Sequence, residues 1–503
     1  MKHKALWVGV TCIILCACSQ EKPKEEPDVP NVDQDKDVIA YVTSADATSH
    51  FTRKTFNFSE PGGLDSYKVT YDKTKLHQEV DGFGLAVTTA TCYNLLKMTQ
   101  EDRTAFLKNM FSQEEGVGSS LIRVAIGASD FCISDEYTWC DKKGLENFAV
   151  HPEDRNYLFP VLKEIYAINP DVKIIASPWS CPKWMKGGQW GYEGNDVKVM
   201  ETDFDSWTSG RLKPSCYQEY SDYFVKWIQT MEAEGFDIFA VTMQNEPLNH
   251  GNSMSLFMPW TDQRDFIKVL GPTLEKAGLG DVKILLFDHN YNYDNKASQL
   301  GYPLHIYADA EASKWADGSA WHSYGGDVSE LDQIHYEHPD KSIYFTEASI
   351  GTWNYKFADC LLNDFSSIFL GTLKRGGSGV TLWNLMLDDN RGPHSRHDGA
   401  CTTCYGGVTI SSADYKSITR NSHWFNVAHA SAVVKPGARL MESGGYEFKA
   451  RFEYLMFLNP DNTIGVLILN GLSETQQVNF SNGDKSVKYN VPAKSLVSLL
   501  WSE

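Results

Sequence analysis

The sequence predicts an α/β protein, a (β/α)8 TIM barrel with a small β-sandwich fused to it. Three observations carry this. Eight short apolar runs, mostly separated by stretches of helical periodicity, fall within residues 80–423. Alternating segments of strand type lie on either side, at residues 41–79 and 424–503. No glycine fingerprint of the dinucleotide or P-loop kind is present, which puts a doubly wound sheet second.

The N-terminus reads as a targeting segment. Lys2 and Lys4 precede a short apolar stretch, Ala5 to Ala17, too brief to span a bilayer as a mature helix. It ends in Leu15-Cys16-Ala17-Cys18, which resembles a bacterial lipobox. Residues 1–18 are therefore expected to be a lipoprotein signal, with a lipid on Cys18. Residues 19–40 are rich in Glu, Asp, Lys and Pro and read as a disordered tether. Acidic residues soon after Cys18 resemble signals that send lipoproteins to the outer face. The expected location is the outer membrane, with the cell surface as a further option, and contact with the membrane through the lipid alone.

Residues 41–79 alternate, as in Phe56-Asn57-Phe58 and Tyr67-Lys68-Val69, and should join the sandwich. The barrel strands follow as Val80 to Val87, Ser120 to Ile126, Val172 to Ser177, Ile238 to Met243, Val282 to Phe287, Ser319 to His322, Ser342 to Thr346 and Gly379 to Trp383. Helical periodicity lies between them, for example at Tyr220 to Glu234 and Asp265 to Ala277. From Trp424 the helical signal fades. Phe452 to Leu458, Thr463 to Leu469 and Leu496 to Trp501 alternate like strands, with Asn459-Pro460-Asp461-Asn462 as a turn.

Composition narrows the function. Lys and Arg number 46 against 65 Asp and Glu, a formal charge of -19, which disfavours a nucleic-acid partner or a polyanionic substrate. Aromatic residues make up 13%, which suits sugar rings as well as an ordinary core. Eight cysteines remain after Cys12, Cys16 and Cys18 are set aside. Cys401-Thr402-Thr403-Cys404 has redox or zinc-like spacing, but no second such pair exists, so a loop staple or free thiols are expected. No cofactor and no metal are expected, and no His-rich spacing of metallohydrolase type is found. A monomer is expected.

Barrel active sites form at the C-terminal ends of the strands. The fourth run leads into Gln244-Asn245-Glu246-Pro247 and the seventh into Glu347-Ala348-Ser349. Two carboxylates thus share one rim. Hydrolysis of an acetal with retention needs such a pair, one to attack the anomeric carbon and one to protonate the leaving oxygen and then activate water.

With these motifs the chain resembles glycoside hydrolase family 30, which includes glucosylceramidases and β-1,6-glucanases. The resemblance runs from residue 80 to the C-terminus. It rests on Asp81-Gly82-Phe83-Gly84, on Ile122-Arg123-Val124 with Ser129-Asp130-Phe131, and on Ala176-Ser177-Pro178-Trp179-Ser180-Cys181-Pro182-Lys183-Trp184-Met185-Lys186. Gln244-Asn245-Glu246-Pro247, Trp321-His322-Ser323-Tyr324, Thr346-Glu347 and Trp383-Asn384-Leu385-Met386-Leu387-Asp388 complete it. The resemblance implies a retaining enzyme with Glu246 as acid/base and Glu347 as nucleophile. It further implies Asp130 and Trp179 on sugar hydroxyls, Asn245 on the 2-hydroxyl, Arg123 beside Glu347, and His322, Tyr324 and Trp383 lining the site. Trp184 and Trp321 are assigned to the core. The loop Asp388-Asp389-Asn390-Arg391-Gly392-Pro393-His394 departs from the glucosylceramidase pattern, and Cys401 to Gly407 is not among the motifs that carry the resemblance.

A β-linked glucan is the expected substrate. An endo-β-1,6-glucanase acting on polysaccharide is the first choice, and a glucosylceramidase or exo-β-glucosidase the alternative. No cationic patch for a uronic acid is identified. A reading of a different class is a non-catalytic surface glycan-binding lipoprotein, which would have no use for the carboxylate pair.

Overall fold

In the computed structural model, residues 36–60, 67–188, 201–291 and 296–502 are described. Cys18, the lipobox and most of the tether lie outside these residues. The eight apolar runs form the parallel strands of one barrel: Gly82–Leu85, Leu121–Ala125, Lys173–Ser177, Ile238–Thr242, Lys283–Asn290, Gly318–His322, Ser342–Glu347 and Gly377–Leu382. Seven hydrogen-bonded strand pairs run in sequence order around the sheet, with the eighth strand paired to the first. The bridge between Ala86 and Arg123 closes the circle.

Closure explains the glycines of the first strand. A Cβ at Gly84 would lie 1.9 Å from the Leu121 carbonyl oxygen, so only glycine lets the first strand meet the second at that distance. Inside the barrel, Leu121, Ile175, Ala240, Leu285, Ala320 and Tyr344 form one fully buried layer, one residue from each of six strands. Below it the Tyr344 hydroxyl donates to Asp81 at 2.6 Å, and Lys173 pairs with the same carboxylate. The floor is therefore plugged, and only the C-terminal mouth is left for chemistry.

Nine antiparallel and parallel strands form the second unit, with the N-terminal and C-terminal segments interleaved. Val38–Ser44 pairs with Ser495–Ser502, and Lys68–Val80 pairs with Ala438–Gly445. The first described strand begins at Val38, inside the expected tether of residues 19–40. Val38 and Ala40 are fully buried, and that alternation is what the neighbouring charged run masked.

Period-two alternation lets the central strand Thr463–Asn470 serve two cores. Ile464, Val466 and Ile468 face the sandwich interior. Leu467 and Leu469 face the other way and join the large core shared with the barrel. Between the units runs the helix Ser422–Ser431, every residue of which is buried. It spans Trp424, where the sequence reading ended the helical region. Its polar residues Ser422, His423, Asn426 and His429 are buried like the rest, so polarity does not mark a solvent face in this helix.

Candidate active site

The site is built upward from Arg123, in the middle of the second barrel strand and wholly buried. A buried guanidinium needs anions and acceptors around it. Its Nη1 donates to Glu347 Oε2 at 2.6 Å, and its Nη2 to Asn245 Oδ1 and Asp288 Oδ2, both at 2.8 Å. The guanidinium carbon lies 4.9 Å from the Trp179 ring centre and 5.5 Å from that of Trp383. Those two indoles stack on each other at 5.0 Å. One cation thus ties together the ends of the second, third, fourth, fifth, seventh and eighth strands.

Glu246 follows the fourth strand with φ at 45°, a left-handed conformation that costs a non-glycine residue energy. The position is held by its own amide, which donates to the Asp288 carbonyl at 2.9 Å. Its Oε2 accepts from the Asn249 amide at 2.7 Å, and its Oε1 lies 3.2 Å from His322 Nδ1. Glu347 ends the seventh strand. Its Oε1 accepts from the Tyr324 hydroxyl at 3.0 Å, opposite the Arg123 contact on Oε2. One ligand-type atom each of Glu246, His322 and Glu347 lie within 4.8 Å of one another, so the two carboxylates face a common gap. That set has the composition of a cation site, but each carboxylate oxygen and His322 Nδ1 already has a hydrogen-bond partner within the protein.

Asp288, which the sequence reading did not single out, is the hub. Five donor atoms lie within 3.0 Å of its oxygens: Arg123 Nη2, Ser177 Oγ, Thr242 Oγ1, His322 Nε2 and Thr346 Oγ1. Burial alone would raise its pKa, but Arg123 and His322 outweigh burial and hold the carboxylate far below the usual range. The available signal was its position, directly after the fifth apolar run and before His289. His289 was also missed. Burial pushes its pKa down to about 4.

His322 sits between Asp288 and Glu246. Burial works to lower its pKa, but the negative charge of Glu347 and the bonds to Asp288 and Glu246 hold it up at about 9. For Glu246, burial would raise the carboxyl, and the two imidazoles with the Asn249 amide hold it down at about 2. His322 Nδ1 and Glu246 Oε1, 3.2 Å apart, are placed to exchange a proton. Glu347 is raised by burial and by the charge of Glu246, against the pull of His322 and Arg123.

The remaining expected residues gather at the same mouth. Asp130 accepts from the Cys401 amide at 3.4 Å, and burial, then the charge of Glu347, push its pKa up to about 8. Asn245 is fixed by its amide, which donates to the Pro178 carbonyl at 2.8 Å. Tyr324 is half exposed, with only its hydroxyl end committed to Glu347 and Ser349. Trp321 is fully buried. Trp184 is partly buried against the same core and donates to the Cys140 carbonyl. Cys401 and Cys404 form a disulfide, and the other six cysteines among the described residues are free. In the departing loop, Asp388 is spent on its own turn, accepting from the amides of Asn390 and Gly392.

Two family models match the chain. The Glycosyl hydrolase family 30 TIM-barrel domain covers residues 80–432, and the Glycosyl hydrolase family 30 beta sandwich domain covers residues 437–499. Among curated relatives, an endo-1,6-beta-D-glucanase of Neurospora crassa is 30% identical over 86% of this chain and 87% of its own. The lysosomal acid glucosylceramidase of Mus musculus is 27% identical over 86% and 83%. Among solved structures, the endo-beta1,6-glucanase BT3312 superposes with a TM-score of 0.87 at 47% identity, covering 93% of this chain and all of that one. With a carboxylate from each of two strand ends aimed at one gap in such a barrel, the chain belongs to glycosyl hydrolase family 30 and is a glycosidase.

Proposed function

We propose that this chain is a retaining endo-β-1,6-glucanase, exported and tethered by a lipid on Cys18. The observation that carries the chemistry is the closeness of Glu246 and Glu347, oxygen to oxygen within 4.8 Å. Retention uses carboxyl groups about 5–5.5 Å apart, whereas inversion needs roughly 6.5–9.5 Å to admit a water. The linkage rests on the endo-1,6-glucanases among the relatives and on the 47% identity to one of them.

In the first step Glu347 attacks the anomeric carbon and the bond to the leaving oxygen breaks. Arg123 and Tyr324 hold Glu347 in place and favour its anion. Glu246 gives the leaving oxygen a proton, drawn from the one it shares with His322. As the leaving group excludes water, the ion pair of Glu246 and His322 loses solvation and the proton moves from Nδ1 to Oε1. In the second step water attacks the anomeric carbon, Glu246 takes its proton, and Glu347 departs as carboxylate. Asp130 bonds a sugar hydroxyl, and Trp179 and Trp383 form the wall.

Product sizing on purified β-1,6-, β-1,3- and β-1,4-glucans tests the reading. Oligosaccharides released from the β-1,6-glucan are expected. Cleavage of glucosylceramide or an aryl β-glucoside with no polymer attacked would replace it with the glucosylceramidase or exo-glucosidase alternative. The lipid is supported by the lipobox-like sequence, and the Cys401–Cys404 disulfide suits an exported protein. Cys18→Ser should move the protein from the membrane fraction to the soluble one. Retention in the membrane fraction would refute the anchor.

A further inference from the structure

Resting on the glucanase reading, we infer that Trp353 is the platform of a second sugar subsite, next to the reaction centre. Among the described residues only five large hydrophobic side chains are exposed. Two of them, Tyr324 at 46% and Trp353 at 51%, line the same cavity of about 850 Å³. That volume is in the range of a small-molecule site. The cavity adjoins the reaction centre: Tyr324 and Ser349 stand in its wall, and the Tyr324 hydroxyl bonds both Ser349 and Glu347. Asn354, Asp359 and Asn363 add polar groups to the wall. An exposed indole beside amides and a carboxylate is the chemistry that recognises a neutral hexose, with its C–H face on the ring and its hydroxyls on the polar groups.

The platform is held rigidly. Trp353 closes over Gly351, where a Cβ would lie 1.9 Å from the indole Cζ3 and 2.4 Å from the Thr403 carbonyl oxygen. Gly351 belongs to a two-residue strand, Ile350–Gly351, that pairs with Cys404–Tyr405. The Thr352 amide donates to the Thr403 carbonyl at 2.9 Å, and the Cys401–Cys404 disulfide staples that segment. The same staple offers the Cys401 amide to Asp130. One short loop therefore sets the spacing between the sugar being cleaved and the sugar beyond it. A ceramide would present no second sugar for such a platform.

The test compares kcat/KM on a β-1,6-linked gluco-tetraose with kcat/KM on β-glucosyl fluoride, whose leaving group is too small to reach Trp353 and which also reports correct folding. In Trp353→Ala the ratio of the two is expected to fall about tenfold, the size of an aromatic contact of ordinary strength. Trp353→Phe, which keeps a ring, should retain most of the ratio. An unchanged ratio in Trp353→Ala overturns the subsite. Tetraoses of β-1,3 and β-1,4 linkage are run in parallel. Cleavage of one of those instead of the β-1,6 series would sink the linkage reading, while the same ratio on the series that is cleaved still decides the platform.

Discussion

Asp288 carries more of the site than its absence from any motif suggests. It touches Arg123 and His322 together, and through them both carboxylates of the reaction. Two charges and three hydroxyls converge on one buried anion, and removing one partner of such a buried pair costs about 3–5 kcal/mol. The residue-scale prediction concerns His322, which keeps the shared proton in place up to high pH. In His322→Asn the proton must stay on Glu246 alone. The basic limb of the kcat/KM profile should move to lower pH, and the limb set by ionisation of Glu347 should move up as it loses the pull of His322. A basic limb at the wild-type position would show that the imidazole does not hold the acid's proton. Asp288 was hard to find in the sequence for a definite reason. The fifth strand continues three residues past its apolar run, through a bulge in which Phe287 and Asp288 both take φ of 70°. Strand residues beyond an apolar run look like loop.

At the scale of elements, what was legible is what repeats. Each of the eight apolar runs became a strand, because strands buried on both faces must be apolar throughout. The carboxylates at the ends of the fourth and seventh runs could be placed on one rim for the same reason. Trp353 could not be picked out of 14 tryptophans, since a loop has no period to show which face of a residue meets solvent. Closure of the barrel rests on a smaller feature, the approach of the first strand to the second. Gly84→Ala puts a methyl 1.9 Å from a backbone oxygen and 2.8 Å from Ser119 Oγ. Such overpacking costs about 1–3 kcal/mol, read as a lowered unfolding midpoint. Gly280→Ala, where the nearest atom is 3.9 Å away, should leave the midpoint within error. Equal midpoints for the two variants would show that closure tolerates a side chain there.

For the molecule as a whole, the sandwich is part of the barrel's support. His429 in the buried helix is hydrogen-bonded to Ser498 and to Thr43, both at 2.8 Å, one from each end of the chain. Burial pushes its pKa down to about 3, so it stays neutral there. A chain ending at residue 436 would leave this helix and the strand residues 38–44 without their sheet. It is expected to be insoluble or to lack cooperative unfolding, and a soluble, active truncation would contradict that. All of this scaffolding serves two glutamates. The most direct test of their roles is to incubate the enzyme with a 2-deoxy-2-fluoro-β-glucosyl fluoride and map the labelled peptide by mass spectrometry. The account predicts one fluoroglucosyl group, attached to Glu347. A label on another residue, or an α-configured sugar as the first product of an unlabelled substrate, would contradict it.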